Sequence, residues 1–320
     1  MRIVFFGSGE FGIPSFRSLA SDGHTLVAAV SQPDRPAGRG RRDQPTPLRI
    51  HAQTEGVPVL TPEDCNAPDC VASLSSLHAE LAFVAAFGQK IGAAVRDLFP
   101  VGIINLHASL LPAYRGAAPA QRAILGGESH TGVTVFRLVE RMDAGPVLAQ
   151  RSTAIGDEET TDLLLDRLAR IGCDCLRAAL ERLVRNPADP GDAQDESRAT
   201  RAPKFAKSDG WVEFSAAART ASRRINALYP WPGAAARFVS SDGQRDEPVI
   251  VAQAFPVACA AGAEPGTVLG DLRIATGDAA VELMAVKPAN GRLMTWRDFV
   301  NGRRVRPGDR FLPAPVTPHE

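Results

Sequence analysis

Leu81-Ala82-Phe83-Val84-Ala85-Ala86 and, further on, Gly102-Ile103-Ile104-Asn105-Leu106-His107 are the stretches from which the fold is read. The first is apolar at every position. A strand with one wet face alternates apolar and polar residues; one apolar throughout suits a sheet covered on both faces. On either side lie further strand-like runs, Ile3–Phe6, Leu26–Val30, Val57–Leu60 and Gly132–Leu138. Helix-like stretches, Pro14–Ala20, Thr46–Thr54 and Ala118–Leu125, fall between them. A longer amphipathic helix is expected from about Thr160 to Val184, with Leu163, Leu164, Leu168, Ile171, Cys175, Leu176 and Leu180 on or near one face. Strands alternating with helices predict an α/β domain with a doubly wound, mostly parallel sheet over residues 1–188.

Asn186–Asp195 reads N-P-A-D-P-G-D-A-Q-D, the composition of a linker. It opens a basic linker expected over 189–208. Beyond Trp211 the pattern changes: one helix-like stretch (Ala216–Leu228), then short β-like runs at Ala234–Val239, Val249–Ala254, Gly266–Leu269, Leu272–Thr276 and Ala280–Val286. Gly, Pro and Asp turns between them predict a small barrel or sandwich over 209–320.

The 320 residues carry 36 basic and 36 acidic side chains, which excludes a generally polycationic nucleic-acid binder. Charge is nevertheless local. Arg198–Arg224 holds seven basic residues against two acidic, and Arg292–Arg310 six against two. Arg35, Arg39, Arg41 and Arg42 crowd the loop after the second strand. Such clusters are usually solvated faces; three in a neutral chain raise the case for a polyanionic partner. No run approaches a membrane span, and the N-terminus lacks the pattern of a signal peptide, so a cytoplasmic protein is expected. Five cysteines fit reduced, buried thiols. Neither Cys65/Cys70 nor Cys173/Cys175 has matching histidines, and no metal is expected.

Three motifs could carry chemistry. Gly7-Ser8-Gly9-Glu10-Phe11-Gly12 matches the dinucleotide fingerprint, with Asp34 downstream. Pro14 inside the following helix and Asp34 out in a loop weigh against that reading, and no NAD is expected. Asn105 and His107, two apart on a strand, project to one side at its carboxyl end, where open α/β sheets place ligands. An amide donor can stabilise an oxyanion, and an imidazole can move a proton near neutrality. A capping Asn beside a satisfied core His explains the spacing equally well. Asp143, in Met142-Asp143-Ala144-Gly145-Pro146, is either a turn residue or an orienting carboxylate.

Asn105-Leu106-His107 followed by S-L-L-P-A-Y-R-G, together with M-D-A-G-P, resembles the folate-dependent formyltransferases. The resemblance runs from Arg2 to about Leu312. It departs at Gly7-Ser8-Gly9, where the family often has G-T-P, and in the linker at Phe205 and Ser208. It implies Asn105, His107 and Asp143 as catalytic residues and Ser109, Leu110, Leu111, Pro112 and Gly116 at a folate site. It also implies a Rossmann-like first domain and an OB-fold-like second one. The loop Q-P-D-R-P-A-G-R-G, Ala202-Pro203-Lys204 with Lys207, and Tyr229-Pro230-Trp231-Pro232 are similar to the branch that formylates the methionine of initiator tRNA. By that likeness Arg35, Arg39, Arg41, Arg42, Lys204 and Lys207 are candidate tRNA contacts. The implied activity is transfer of the formyl group of 10-formyltetrahydrofolate to the α-amine of methionyl-initiator tRNA, by a monomer. Rival readings are an amino-sugar-nucleotide formyltransferase, a formyltetrahydrofolate hydrolase, a pure RNA-binding module and a nicotinamide dehydrogenase.

Overall fold

A computed structural model describes residues 1–37, 42–258, 262–289 and 291–314. It forms two compact units, each assembled from separate segments of the chain. The first comprises Met1–Gly116, Gly132–Thr153 and Leu165–Arg201; the second comprises Ala117–Thr131, Ala154–Leu164 and Ala202–Glu320.

The elements up to the long helix are β1 (Arg2–Gly7), α1 (Ile13–Ser21), β2 (Thr25–Val30), β3 (Arg35–Ala37), β4 (Arg42–Gln44), α2 (Pro47–Thr54), β5 (Val59–Leu60), α3 (Pro68–Ser76), β6 (Leu81–Ala85), α4 (Ala93–Arg96), β7 (Gly102–His107), α5 (Pro119–Gly126), β8 (His130–Arg137), β9 (Val147–Ala154) and α6 (Thr161–Arg185). A seven-stranded sheet has the order β5-β2-β1-β6-β7-β8-β9. The strands from β5 to β7 are parallel, and β8 enters antiparallel to β7. This is the doubly wound sheet expected from the sequence.

The packing of β1 shows why its run is apolar on both faces. Phe5 meets Phe16 of α1 and Phe83 of β6, with ring centroids 5.2 and 5.1 Å away. Phe6, on the opposite face, meets Phe87 and Phe99 at 5.3 and 6.4 Å. Both rings are fully buried, each worth roughly 1.5–3 kcal/mol in apolar burial. Helix α6 closes on β7 through Gly172, whose missing Cβ would sit 2.7 Å from Leu106 Cδ2. Leu106 alternates with Asn105 and His107, so α6 covers the face of β7 that those two do not use. Leu163, expected on the apolar stripe, is half exposed.

Two short segments depart from expectation. Val57–Leu60 contributes only Val59–Leu60 to the sheet. Gly56 takes a left-handed conformation, and the Val57 N–H returns to Ala52 O at the end of α2, so Val57 belongs to the helix cap. The loop after β2 contains a two-stranded ribbon, β3–β4, whose tip lies outside the described residues.

The second unit contains α5, α7 (Ala218–Leu228), β10 (Ala234–Val239), β11 (Asp246–Val257), β12 (Ile274–Ala275), β13 (Ala280–Pro288), β14 (Met294–Thr295), α8 (Trp296–Arg303) and β15 (Arg310–Pro313). Its antiparallel order is β12-β13-β11-β10-β15, with β14 on β13. Gly266–Leu269, expected as a strand, makes only isolated bridges, yet those bridges nearly close the barrel. On one side Phe311 N donates to Gly266 O at 2.7 Å; on the other Ala275 N donates to Thr267 O at 2.9 Å. Gly266 is required, because a Cβ there would lie 2.2 Å from Phe311 O. Phe238, Phe299, Phe311 and Trp296 pack ring against ring in the barrel core, and α7 lays Ala221, Ile225 and Leu228 onto it.

Candidate active site

The site begins at the carboxyl end of β7. Asn105 pairs with Val84 of β6 on one side and Phe136 of β8 on the other; His107 pairs with Thr134. The strand is therefore fixed from both edges, and side chains at its tip are aimed by the sheet. Asn105 is half-buried. Among the described residues its carboxamide makes no hydrogen bond, which leaves both donors and the acceptor for a ligand.

His107 is buried, with its ring edge-on to Phe136. Nε2 lies 2.9 Å from Tyr114 O. A carbonyl only accepts, so Nε2 carries the proton and donates. Nδ1 is left facing Asp143 Oδ2 at 3.9 Å, close enough for charge interaction but too long for a direct hydrogen bond. Asp143 Oδ2 accepts from Gly116 N at 2.8 Å. Asp143 has φ +51°, a left-handed conformation that Asp tolerates. Gly145, two residues on, has no room for a side chain, since a Cβ would fall 1.7 Å from Arg137 O. His107 and Asp143 thus face each other through the antiparallel return of β8, and Asn105 precedes His107 by two residues on the same face of β7.

The loop Ser109–Gly116 is held mostly by hydrogen bonds from neighbouring elements. Ser109 is fully buried, and its hydroxyl donates to Ala113 O at 2.7 Å. Thr134 Oγ1 donates to Ser109 O and accepts from Leu111 N, at 2.7 and 3.0 Å. Gln150 Nε2 donates to Leu111 O at 2.7 Å. Leu111 is buried and precedes a cis proline, whereas Leu110 and Pro112 are half-buried. Gly116 contributes its N–H to Asp143.

A set of contacts to this loop comes from residues that composition marks as linker. Thr200 receives Tyr114 N on its hydroxyl at 2.8 Å and Arg115 N on its carbonyl at 2.9 Å. Arg115 is buried and grips Glu196 and Gln194. Those Arg115 hydrogen bonds hold the Glu196 carboxyl below the ordinary range. Sequence reasoning missed Gln194, Glu196 and Thr200, because no local pattern announces a partner some eighty residues away.

The expected tRNA contacts fall in both units. Arg35 is exposed and paired with Glu63 at 2.6 Å. Arg39 and Arg41 lie outside the described residues, and Arg42 is described only as backbone in β4, opposite Ala37. Lys204 and Lys207 are exposed on a braced segment. Arg122 lies 3.8 Å over the Phe205 ring and donates to Pro203 O; Arg224 lies 3.8 Å over Trp211 and donates to Asp209 O. Phe205, a departure from the family pattern, is thereby buried in the second core. Asp34, the acidic residue of the dinucleotide reading, is tied to Arg49 at 2.5 Å. No cluster of three metal-ligating residues occurs among the described residues.

Comparison with known proteins identifies the family. A formyl transferase family model matches residues 1–180, and a model of the formyl transferase C-terminal domain matches 204–304. The methionyl-tRNA formyltransferase of Methylococcus capsulatus is 40% identical over 308 residues, covering 95% of this chain and 98% of that protein. That of Halorhodospira halophila is 40% identical over 314 residues, covering 96% and 98%. Among solved structures, HypX from Aquifex aeolicus in complex with tetrahydrofolic acid superposes with a TM-score of 0.66 at 18% identity, over 96% of this chain and 48% of that one. The sugar 3N-formyl transferase WlaRD gives 0.64 at 14% identity, over 91% and 99%. Those two likenesses speak to the fold alone. The family models define a group-transfer enzyme, built on a Rossmann-like sheet. The chain belongs to the formyl transferase family, and within it to the methionyl-tRNA formyltransferases.

Proposed function

We propose that this protein transfers the formyl group of 10-formyltetrahydrofolate to the α-amine of methionyl-initiator tRNA, giving N-formylmethionyl-tRNA for translation initiation. The observation that carries the reading is an unengaged Asn105 amide on the face of β7 that also carries His107, which in turn faces Asp143, in a chain 40% identical to methionyl-tRNA formyltransferases over nearly its full length. The folate is a consumed co-substrate; formyl transfer to an amine needs neither metal nor nicotinamide.

The neutral amine attacks the formyl carbon, and the carbonyl π electrons move onto oxygen. The Asn105 amide donates to that oxyanion, and a protonated His107 adds positive charge beside it. A preorganised donor of this kind is worth about 2.7–4 kcal/mol in the barrier. Asp143 orients His107 and assists removal of the proton from the attacking nitrogen. The C–N10 bond then breaks, its electron pair returns to N10, and N10 takes up a proton. Leu110 and Pro112, both half-buried, are the loop residues we assign to the pterin, while Ser109, Leu111 and Gly116 shape the loop. Lys204 and Lys207 supply phosphate contacts, together with Arg35, Arg39, Arg41 and Arg42. The proposed enzyme acts as a monomer in the cytoplasm.

Formylation of charged initiator and elongator methionyl-tRNA with 10-formyltetrahydrofolate tests the reading. Faster formylation of an amino sugar nucleotide, or release of formate without transfer, would replace it by one of its rivals.

A further inference from the structure

Gln194 stands out in the segment Asp192–Glu196, as the one half-buried residue among exposed neighbours. Its side-chain amide is used in full and in two directions. Oε1 accepts from Arg115 Nε and Nη2, at 3.1 and 2.7 Å. Nε2 donates to Asp143 O and Gly145 O, at 2.8 and 2.7 Å. One amide therefore joins the two loops that make the site. Arg115 follows Tyr114, whose carbonyl holds His107 Nε2, and precedes Gly116, whose N–H holds the Asp143 carboxylate. The second loop carries Asp143 itself. Glu196 completes the arrangement by pairing with Arg115 and with Arg141, at 2.8 and 2.9 Å.

We propose that Gln194 is a positioning residue for formyl transfer: by bridging Arg115 to the Asp143 and Gly145 carbonyls, it sets the separation of His107 Nδ1 from the Asp143 carboxylate. The inference rests on the formyl-transfer reading and adds to it a residue outside both catalytic motifs. An amide suits this place, because one side of the bridge needs an acceptor and the other a donor. A carboxylate of the same shape keeps the Arg115 contact and turns an oxygen onto two carbonyl oxygens. That substitution separates a positioning role from simple packing.

The test compares the parent with Gln194→Glu, Gln194→Asn and Arg182→Ala in the full chain, by steady-state formylation of methionyl-tRNA across pH and by thermal unfolding. Misplacing a reacting group by about 1 Å costs on the order of 100-fold, so Gln194→Glu is expected to lose roughly 10- to 100-fold in kcat at unchanged KM for both substrates. Its kcat–pH profile should also move, because the His107–Asp143 spacing has changed. Gln194→Asn, which keeps donor and acceptor on a shorter arm, should recover part of that loss. Arg182 ties the same linker at Asp189 and Asp192 without touching either catalytic loop. Arg182→Ala should therefore lower Tm and leave kcat and the pH profile alone. A folded Gln194→Glu enzyme with parental kcat and profile overturns the proposal. So does an Arg182→Ala enzyme with the same kinetic defect, which would reduce the effect to linker integrity. Should Gln194→Glu fail to fold, Gln194→Asn and Gln194→Ala decide, and parental turnover in both overturns it. A parent that makes no N-formylmethionyl-tRNA sinks the functional reading and this inference with it; an active parent indifferent to Gln194 sinks the inference alone.

Discussion

Replacing Asn105 by alanine separates catalysis from stability more cleanly than any other change in this site. The side chain is half-buried and makes no hydrogen bond among the described residues, so its removal leaves no partner stranded. The backbone at 105 keeps its pairing to Val84 and Phe136. The stability cost should accordingly be that of an uninvolved position, within about 0.5 kcal/mol. Loss of one oxyanion donor, in contrast, costs about 10²–10³ in kcat, some 2.7–4 kcal/mol. Asp143→Ala differs, because it strips the acceptor from Gly116 N–H as well as the charge facing His107, and should lower Tm together with kcat. The assay is formylation of methionyl-tRNA at saturating 10-formyltetrahydrofolate, with unfolding followed on the same preparations. Parental turnover by a folded Asn105→Ala enzyme would remove Asn105 from the mechanism. A large fall in Tm, with activity tracking the folded fraction, would show that the amide serves the fold.

The two exposed linker lysines should behave as phosphate contacts: Lys204→Ala and Lys207→Ala should each weaken tRNA binding and each reduce the slope of log affinity against log salt by about one. A slope equal to the parent's would make them solvated charges only. Burial first, then the charge of Arg17, lowers the pKa of His51 in the fold. The unfolded chain then takes up the proton near pH ~6.5, so stability is complete above that value and is lost as pH falls below it. His51→Gln should flatten the decline of Tm between about pH 7 and 5.5, and an unchanged decline would contradict the assignment. Burial pushes the thiols of Cys65 and Cys175 up to about 11, so both should resist iodoacetamide at mildly alkaline pH until the chain is unfolded. Prompt native labelling of either would refute that.

What could be read from the chain was what periodicity controls. The unbroken apolar runs at β1 and β6 identify a sheet covered on both sides, because no other arrangement buries such a strand fully. The two-residue repeat of a strand puts Asn105 beside His107 without any knowledge of the rest of the fold. Asp143 was legible only as a resemblance. Its approach to His107 depends on β8 returning antiparallel to β7 in the register Ile104 to Arg137 and Leu106 to Val135, a long-range pairing that sequence spacing does not encode. The barrel shows the same limit: its closure depends on isolated bridges at Gly266–Leu269, where the sequence suggested an ordinary strand.

The linker makes the point most sharply. Pro, Gly and Asp in 186–195 do mark a segment that regular secondary structure cannot absorb. Composition reports where ladder hydrogen bonds are disfavoured; it is silent on which side chains will tie that backbone down. Here Arg137 donates to Pro187 O and Asp189 O, Arg182 grips Asp189 and Asp192, and Gln194 and Thr200 hold the loops around His107 and Asp143. A segment without regular structure is suited to this task. Its polar groups are not committed to a ladder, so they remain available to carbonyls and amides of loops that are themselves irregular. The residues that shape such a site are then to be sought among the polar side chains of nearby irregular segments, where burial of a single amide such as that of Gln194 distinguishes a structural contact from a solvated one.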